Sequence, residues 1–376
     1  MSRQPTSSFK PDYAVAPGET LRETLQAIGM SQSELADRTG RPKKTINEII
    51  AGKAAITAET ALQLERVLGT PASFWNNLER NYRETLARLA EEKQLQQGLS
   101  WLNTFPVRAM IKAGWLPKEK TPIRQLQVLL NYFGVAGVDE WESLWTSPQA
   151  AFRRSPAFQA NPQAIAAWMR RGEMAAAQVS CHSYDAAAFR ETVNQARSLT
   201  ATPPKTFEPA LKRDCAKAGV AVVFVPELPG THLFGSTRWL NPIKALIQLS
   251  LRGKSDDLLW FTFFHEAAHI LLHGKRGVFI EGKGLGCGQC KTDTEAEGEA
   301  NQFARDLLIP RREYNAFVER AQFDHSSISS FAHSIGIAPG IVVGRLQHDH
   351  FVPYSHGNQL KGRFTFVEES GSKESR

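Results

Sequence analysis

The pattern HEAAH, from His265 to His269, lies inside an apolar run, LLWFTFFHEAAHILLH. Histidines four positions apart share one face of a helix, so both imidazoles can bind the same metal ion. Glu266 lies beside them and can take a proton from metal-bound water, whose pKa falls to roughly 7 on zinc. The pattern predicts a zinc-dependent hydrolytic site with Glu266 as general base. The alternative is a chance match on an ordinary helix. The clustering of three of the ten histidines within nine residues argues against such a chance match.

A catalytic zinc usually takes three protein ligands and keeps one position open. His273 is a poor third ligand, because on a continuous helix it lies about 12 Å from His265. Both ligand nitrogens would have to lie about 2.0–2.1 Å from the zinc. We expect His273 to be a neighbour of the site that closes the helix before Gly274.

The following helical segment, TEAEGEANQFARDLLIP, offers a better ligand. Glu297 shares one face of this segment with Ala300, Asn301 and Ala304, and the small alanines allow two helices to approach closely. Glu297 is therefore the preferred third ligand, 28 residues after His269. Glu299, on another face, is the alternative.

A second group of residues, near the amino terminus, has the chemistry of a DNA reader. In a helix-turn-helix (HTH), two helices pack closely and the second enters the major groove. Gln32, Ala36 and Gly40 recur at four-residue steps, and Ile46 and Ile49 have the spacing of buried positions. The candidates for DNA contact are Gln32, Arg41, Lys43, Lys44, Thr45, Asn47 and Lys53.

Within this set, we expect Lys43, Lys44 and Asn47 to reach base edges, and Gln32 and Lys53 to contact phosphate. The alternative is a helical bundle with a solvated charged face. The net charge of +7 does not decide between them, because residues 1–95 hold 13 basic and 12 acidic side chains. The excess is spread thinly along the chain.

The stretch from GETLRETLQAIG to GTPASFWNNLE, about residues 17–82, resembles the XRE (Cro/C1-type) helix-turn-helix family and in particular its HigA-like antitoxin branch. The resemblance includes the IxxGK end of the third helix and the GTPASFW entry to the fifth. It implies a five-helix domain that binds double-stranded operator DNA as a homodimer on an inverted repeat. Arg41-Pro42 departs from the family pattern where base preference is set.

HEAAHILLHGK followed by EGEANQFARDLLIP is similar to the ImmA/IrrE family of zinc metallopeptidases, over about residues 205–350. The resemblance implies His265, His269 and Glu297 as Zn²⁺ ligands and Glu266 as base, a gluzincin-like set. Members of the family are implied to cut HTH-type repressors or to act as stress regulators.

Three functions follow from these sites. The first is an antitoxin-like transcriptional regulator whose zinc endopeptidase domain cleaves a repressor or itself in response to a signal. The second is a non-proteolytic antitoxin or repressor whose C-terminal domain only binds a toxin or ligand. The third is a protease whose HTH docks a protein. The intact HExxH pattern with Glu297 favours the first over the second, and Lys43, Lys44 and Asn47 favour it over the third.

The elements that must position these residues are mainly helical, with a small α+β domain. We expect an HTH domain of five helices over residues 1–95, a helical connecting region over 96–204 and a zincin-like metallopeptidase domain over 205–355. A Pro-containing boundary falls at 202–205, and a partly disordered tail covers 356–376. Strands are expected at 220–225 and 245–251 around Gly/Pro-rich chain, then helices over about 258–273 and 294–308 around a glycine-rich loop.

The composition agrees with a folded protein of two or three domains: 376 residues, 42% of them hydrophobic and 22% charged. No apolar run is long enough to span a bilayer and the first residues lack a signal-peptide core, so we expect a cytoplasmic protein. Four cysteines are too few for a disulfide framework. Cys287 and Cys290 supply half of a structural zinc site at most, and we interpret them as loop cysteines, with a redox or metal role as the alternative.

Overall fold

The computed structural model describes residues 13–152, 161–274, 278–282 and 291–366. The chain forms two compact units. One comprises Met1–Ser100 with Thr121–Leu126, and the other comprises Trp101–Lys120 with Gln127–Arg376. Helices dominate both units, and the second also contains a small sheet, which confirms the predicted fold class.

The N-terminal unit contains the five helices expected of an HTH domain. Ser31 accepts a hydrogen bond from the Glu34 N–H at 3.1 Å, and Thr57 accepts one from the Thr60 N–H at 3.2 Å, so both residues act as N-caps. Gly40 ends the second helix in the left-handed conformation (φ 69°). The helices are α1 Pro17–Ala27, α2 Gln32–Thr39, α3 Lys43–Ile50, α4 Ala58–Leu68 and α5 Ala72–Gln97.

A single apolar core holds this unit together. Its fully buried members come from all five helices, and include Leu21, Leu35, Ile46, Ile49, Leu64 and Trp75. Helix α1 crosses α3 so closely that a Cβ atom at Gly18 would lie 2.1 Å from the Ile49 carbonyl oxygen. The buried isoleucines therefore hold α3 against the core on one face and leave its other face to solvent.

In the described part of residues 98–219, seven helices follow, some of which begin next to a proline. Trp101, Trp115, Trp141 and Trp145 are all buried, and the Trp101 and Trp141 rings meet edge to face at 5.2 Å, so these tryptophans are core residues. The helices are α6 Leu99–Leu102, α7 Val107–Lys112, α8 Pro122–Phe133, α9 Val138–Phe152, α10 Pro162–Ala177, α11 Ala186–Leu199 and α12 Pro204–Lys217.

The sheet of the second unit has four strands in the described residues: β1 Val220–Phe224, β2 Leu233–Asn241, β3 Lys244–Leu249 and β4 Val278–Gly282. They lie in the order β1-β3-β2-β4, with β1 parallel to β3 and the remaining pairs antiparallel. The expected strands at 220–225 and 245–251 correspond to β1 and β3. The interpretation of the chain between them as Gly/Pro-rich connection was wrong, because β2 lies there. Much of β2 is buried without a regular alternation, so the period-two signal is absent.

Helices cover both faces of this sheet. On one face, the Trp168 indole of α10 donates to the Val225 carbonyl at 3.0 Å, and the Gln248 amide of β3 donates to the Trp168 carbonyl at 2.7 Å. On the other face lies α13, Asp256–Leu272, where the Thr237 hydroxyl of β2 donates to the Glu266 carbonyl at 3.1 Å. Helix α10, from the expected connecting region, is thus part of the sheet's packing.

The remaining helices are α14 Lys291–Leu308, α15 Arg311–Glu319, α16 His325–Ile335 and α17 Pro339–His348. A segment after α17 returns to the start of α13, where the Lys361 ammonium lies 2.6 Å from an Asp257 carboxylate oxygen and the Asp256 N–H donates to the Gly362 carbonyl at 3.0 Å. Cys287, Cys290 and the last ten residues, for which a loop and a disordered tail were expected, lie outside the described residues.

In the part of the chain that the structure describes, no single helix has the length and apolar character to cross a membrane, and α16 with α17, bent by 113°, passes that test as a pair by length and composition alone.

Candidate metal centre and nucleic-acid interface

Helix α13 positions the first three residues of the candidate metal centre. It begins after Ser255 with Asp256 and Asp257 in its first turn, where carboxylates interact favourably with the helix dipole. The helix is apolar on nearly every side, as is usual for a buried helix. His265 and His269 are each 1% exposed, and Glu266 is fully buried.

Helix α14 supplies the third candidate ligand. Ala300 and Ala304 are fully buried, and α13 and α14 pack together. Glu297 is brought to the two imidazoles: one carboxylate oxygen lies 3.2 Å from His265 Nε2 and the other lies 3.4 Å from His269 Nε2. The two Nε2 atoms are 3.0 Å apart.

These distances fit the coordination of a small cation. Among the described residues, His265, His269 and Glu297 form a group of three whose ligand atoms all lie within 4.8 Å of one another. Tetrahedral ligands at the roughly 2.0–2.1 Å of Zn–N and Zn–O bonds are about 3.3 Å apart, close to the three separations observed. Two imidazole nitrogens and one carboxylate are also a donor set that suits zinc, with a fourth position open.

The protonation states favour metal binding. Burial lowers the pKa of His269 below its ordinary value. Burial alone would raise the pKa of Glu297, but hydrogen bonds to His265 and His269 and their charge outweigh it and lower the pKa to about 2. A neutral imidazole and an ionised carboxylate are the forms that bind a cation.

The imidazoles of His265 and His269 each have a hydrogen-bond partner at Nδ1, the nitrogen that does not face the other ligands. His265 Nδ1 lies 3.1 Å from Asn301 Oδ1, and His269 Nδ1 lies 2.9 Å from His273 Nδ1. The other nitrogen of His273 lies 3.0 Å from a Glu299 carboxylate oxygen. The structure thus places His273 at the end of α13, beside a ligand, and places Glu299, the alternative ligand, next to His273.

Strand β2 approaches the proposed base. A Cβ atom at Gly235 would lie 2.9 Å from Glu266 Oε1 and 2.6 Å from Thr262 Cγ2, so any larger residue there would force one of these side chains to shift. The Thr237 hydroxyl also donates to the Glu266 carbonyl. Neither contact was predicted from the sequence, although a glycine inside a strand is the signal that indicates such a close approach.

The second candidate site is the exposed face of α3. Lys43, Asn47 and Lys53 are exposed, and the Lys44 side chain is 86% exposed, 3.9 Å from a Glu48 carboxylate oxygen. A shallow concavity of about 430 Å³ is lined by Lys43, Lys44, Asn47, Glu48, Ala51 and Lys53. The structure therefore brings four of the seven predicted contact residues together around one open surface.

The other three predicted contact residues have different surroundings. The Arg41 guanidinium is engaged by α4: Nε donates to Gln63 Oε1 at 2.5 Å, and another nitrogen lies 3.2 Å from a Glu59 carboxylate oxygen. Gln32 begins α2 and is half-buried, as is Thr45 in the first turn of α3. Arg41 therefore has a structural role, because it links the turn between α2 and α3 to α4.

Each of the two candidate sites lies in a region of the chain that matches a known protein family. Residues 21–75 match the helix-turn-helix family, and residues 216–347 match the IrrE N-terminal-like domain, a peptidase family. The first region contains α2 and α3, and the second contains α13 and α14 with all three candidate ligands.

Individual relatives align with the N-terminal unit. An uncharacterised HTH-type transcriptional regulator of Haemophilus influenzae is 33% identical over 101 residues, which are 27% of this chain and 84% of that protein. Virulence-associated protein I of Dichelobacter nodosus is 41% identical over 70 residues, 18% of this chain, and the match spans 65% of the relative's own length.

Two solved structures align with the same region. A HigA-family addiction module antidote protein from Coxiella burnetii is 34% identical, with a TM-score of 0.21 and coverage of 22% of this chain and 92% of that one. The Pseudomonas aeruginosa antitoxin HigA, solved with the higBA promoter, is 34% identical, with a TM-score of 0.22 and coverage of 23% and 94%.

The fold and its sites define an HTH domain joined to a peptidase-like domain. The chain belongs to the XRE-type HTH transcriptional regulators and carries an ImmA/IrrE-like domain in its C-terminal half.

Proposed function

We propose that this regulator binds operator DNA as a homodimer through α3 and hydrolyses a peptide bond at a zinc site formed by His265, His269 and Glu297. The observation that carries the peptidase assignment is the triangle of ligand atoms, 3.0–3.4 Å on a side, on the helix that also bears Glu266. Membership of a peptidase family supports it.

In this mechanism the chain's own residues hold the ion and move the proton. A bound zinc ion would supply a water molecule of lowered pKa and polarise the scissile carbonyl. Glu266, fully buried on α13, accepts the proton of the attacking water and returns it to the leaving amine. Gly235 leaves room for the Glu266 carboxylate on the sheet side.

We propose that the substrate is a protein, either a repressor or the chain itself, and that a signal controls cleavage. The joining of an HTH regulator to a peptidase-like domain in one chain supports a regulatory substrate. A toxin is the alternative protein partner, in which case the C-terminal domain binds without cutting.

For the DNA partner, the exposed group of Lys43, Lys44, Asn47 and Lys53 on and after α3 supports binding in the major groove. Lysines and an asparagine can contact phosphates and base edges. The name of the Haemophilus influenzae relative, an HTH-type transcriptional regulator, agrees with this role.

The decisive experiment follows cleavage and DNA binding in the same full-length preparations. Operator fragments are first selected from genomic DNA with the Glu266→Gln variant, which we expect to bind DNA as the wild type does. Zinc-loaded wild type and Glu266→Gln are then incubated with and without that DNA, alone and with repressors from neighbouring reading frames, and all products are identified by intact mass.

We expect fragments with wild type and none with Glu266→Gln. DNA binding by a zinc-loaded wild type that cuts neither itself nor any repressor would instead support the non-proteolytic antitoxin or repressor. If the protein cleaves a substrate but selects no operator fragments from genomic DNA, the result would support a protease whose HTH domain docks a protein.

A further inference from the structure

Beyond the three ligands, a chain of hydrogen bonds links the metal centre to the surface. It runs from the Glu299 carboxylate to His273 Nε2 at 3.0 Å, and from His273 Nδ1 to His269 Nδ1 at 2.9 Å. We propose that Glu299 and His273 are positioning residues that orient His269 and strengthen its bond to the cation. This inference rests on the metal site of the proposed function.

The direction of every hydrogen bond in this chain follows from metal binding. His269 Nε2 faces His265 and Glu297, so it is the nitrogen that binds the cation, and the neutral ring must carry its proton on Nδ1. That Nδ1–H donates to His273 Nδ1, which must then be the unprotonated nitrogen. The His273 proton is consequently on Nε2, where it donates to Glu299.

The arrangement couples His269 to the Glu299 carboxylate through the imidazole of His273. A ligating imidazole usually donates its second N–H to a carboxylate, a carbonyl or water, which fixes its tautomer and raises its basicity. His265 has such a partner in Asn301 at 3.1 Å. For His269 the partner is an imidazole polarised by a carboxylate, so His273 extends the reach of Glu299 by one ring.

Two features of the fold create this chain of hydrogen bonds. His273 follows His269 by four residues at the end of α13. The backbone N–H of His273 donates to the backbone carbonyl of His269 at 3.2 Å, so both rings lie on one face of the helix. Glu299 follows the ligand Glu297 by two residues on α14. The His273 side chain is 10% exposed and that of Glu299 is 57% exposed, so we expect most of the effect to come from His273.

The test measures metal affinity in the full-length protein by competition with a chromophoric chelator for zinc. We expect His273→Phe, which keeps a ring but has no acceptor, to weaken zinc binding by about 10–100-fold. His273→Gln can still accept the proton of His269 and should recover most of that loss. Glu299→Gln should weaken binding by about 2–10-fold, and Glu295→Gln, on the same helix and also exposed, should have no effect.

A second readout separates orientation of the ligand from a merely structural role. The visible absorption of the cobalt-substituted protein reports the ligand field, and we expect it to change in His273→Phe and not in Glu295→Gln. If His273→Phe does not fold, Glu299→Gln, at an exposed position, carries the test.

Wild-type affinity and an unchanged cobalt spectrum in His273→Phe and Glu299→Gln would overturn the inference. Neither readout depends on peptide cleavage, so the inference can fail while the proposed function stands. Zinc retained in His265→Ala would instead show that the ligand assignment itself is wrong.

Discussion

The two candidate sites of this protein are built on opposite principles. The candidate DNA-binding face consists of exposed side chains on and just after one short helix, α3, and the Lys44 side chain is 86% exposed. The metal centre consists of buried side chains on two helices, with His265 and His269 each 1% exposed. The first site comes from one stretch of eleven residues, whereas the second needs residues at least 28 positions apart to meet.

The difference bears on how each site tolerates change. Exposed lysines act through solvent-screened charge, so the removal of one weakens binding gradually and in a salt-dependent way. A buried set of metal ligands depends on distances of a few tenths of an ångström, so the loss of one ligand removes the function. We therefore expect graded effects at α3 and large, all-or-none effects at α13 and α14.

The largest effect is expected at Glu266. Glu266→Gln removes the proposed base but none of the ligands, so cleavage should fall by about 10²–10⁴-fold while zinc content and DNA affinity stay the same. The measurement is the single-turnover rate with the substrate identified above, together with metal analysis. Cleavage at the wild-type rate would remove Glu266 from the mechanism.

At the other site, Lys43→Ala/Lys44→Ala should weaken operator binding by about 10–100-fold and reduce the slope of log K against log salt by about 1–2, because each lysine that contacts phosphate releases a counterion. Arg80→Ala/Lys93→Ala removes the same charge from exposed positions of α5 and is the control. Equal losses in both variants would show that net charge, not the face of α3, binds DNA.

Gly235 tests whether the surroundings of Glu266 are as tightly packed as the comparison requires. In Gly235→Ala the new methyl group would lie 2.6 Å from Thr262 Cγ2, and we expect the free energy of unfolding to fall by about 1–3 kcal/mol. Gly298→Ala is the control, because a Cβ atom there meets nothing within 4 Å and alanine favours a helix. Denaturant unfolding that shows the same stability for both variants would contradict this packing.

An effect of similar size is expected from pH. Burial, with the charge of Asp257 in addition, raises the pKa of Asp256 from 3.8 to about 6. The folded state therefore binds more protons than the unfolded state between about pH 4 and 6, and this carboxyl lowers the free energy of unfolding as the pH rises through that window.

Replacement of this carboxyl in Asp256→Asn removes the titration. The stability of the wild type relative to the variant should fall by about 1–3 kcal/mol between pH 4 and pH 7. Urea unfolding at several pH values measures this difference. A difference that does not change with pH would show that Asp256 titrates normally.

The parts of the molecule that the sequence predicts well depend on short spacings. The HEAAH pattern and the four-residue steps from Gln32 to Gly40 each lie within a few residues of the chain. The face shared by Glu297 and Ala300 also follows from helical periodicity, so the prediction could pair two helices that are distant in the chain.

The parts that could not be predicted depend on long-range pairing and on rotamers. Strand β2 lacks the alternation of buried and exposed residues because helices cover both faces of its sheet. The role of Gly235 depends on its contact with Glu266, which is distant in the sequence. The hydrogen bond from His273 to Glu299 needs two side chains on different helices to adopt matching rotamers, which no spacing encodes. The domain limits at residues 95 and 204 stay predictions.

The central claim is that His265, His269 and Glu297 together hold one zinc ion. Its most direct test is the zinc content of purified full-length protein, measured by mass spectrometry of the metal after dialysis, in wild type, His265→Ala, Glu297→Ala and the α14 control Glu295→Ala. We expect about one zinc per chain in wild type and control and less than about 0.1 in both ligand variants. A full complement of zinc in either ligand variant would contradict the account.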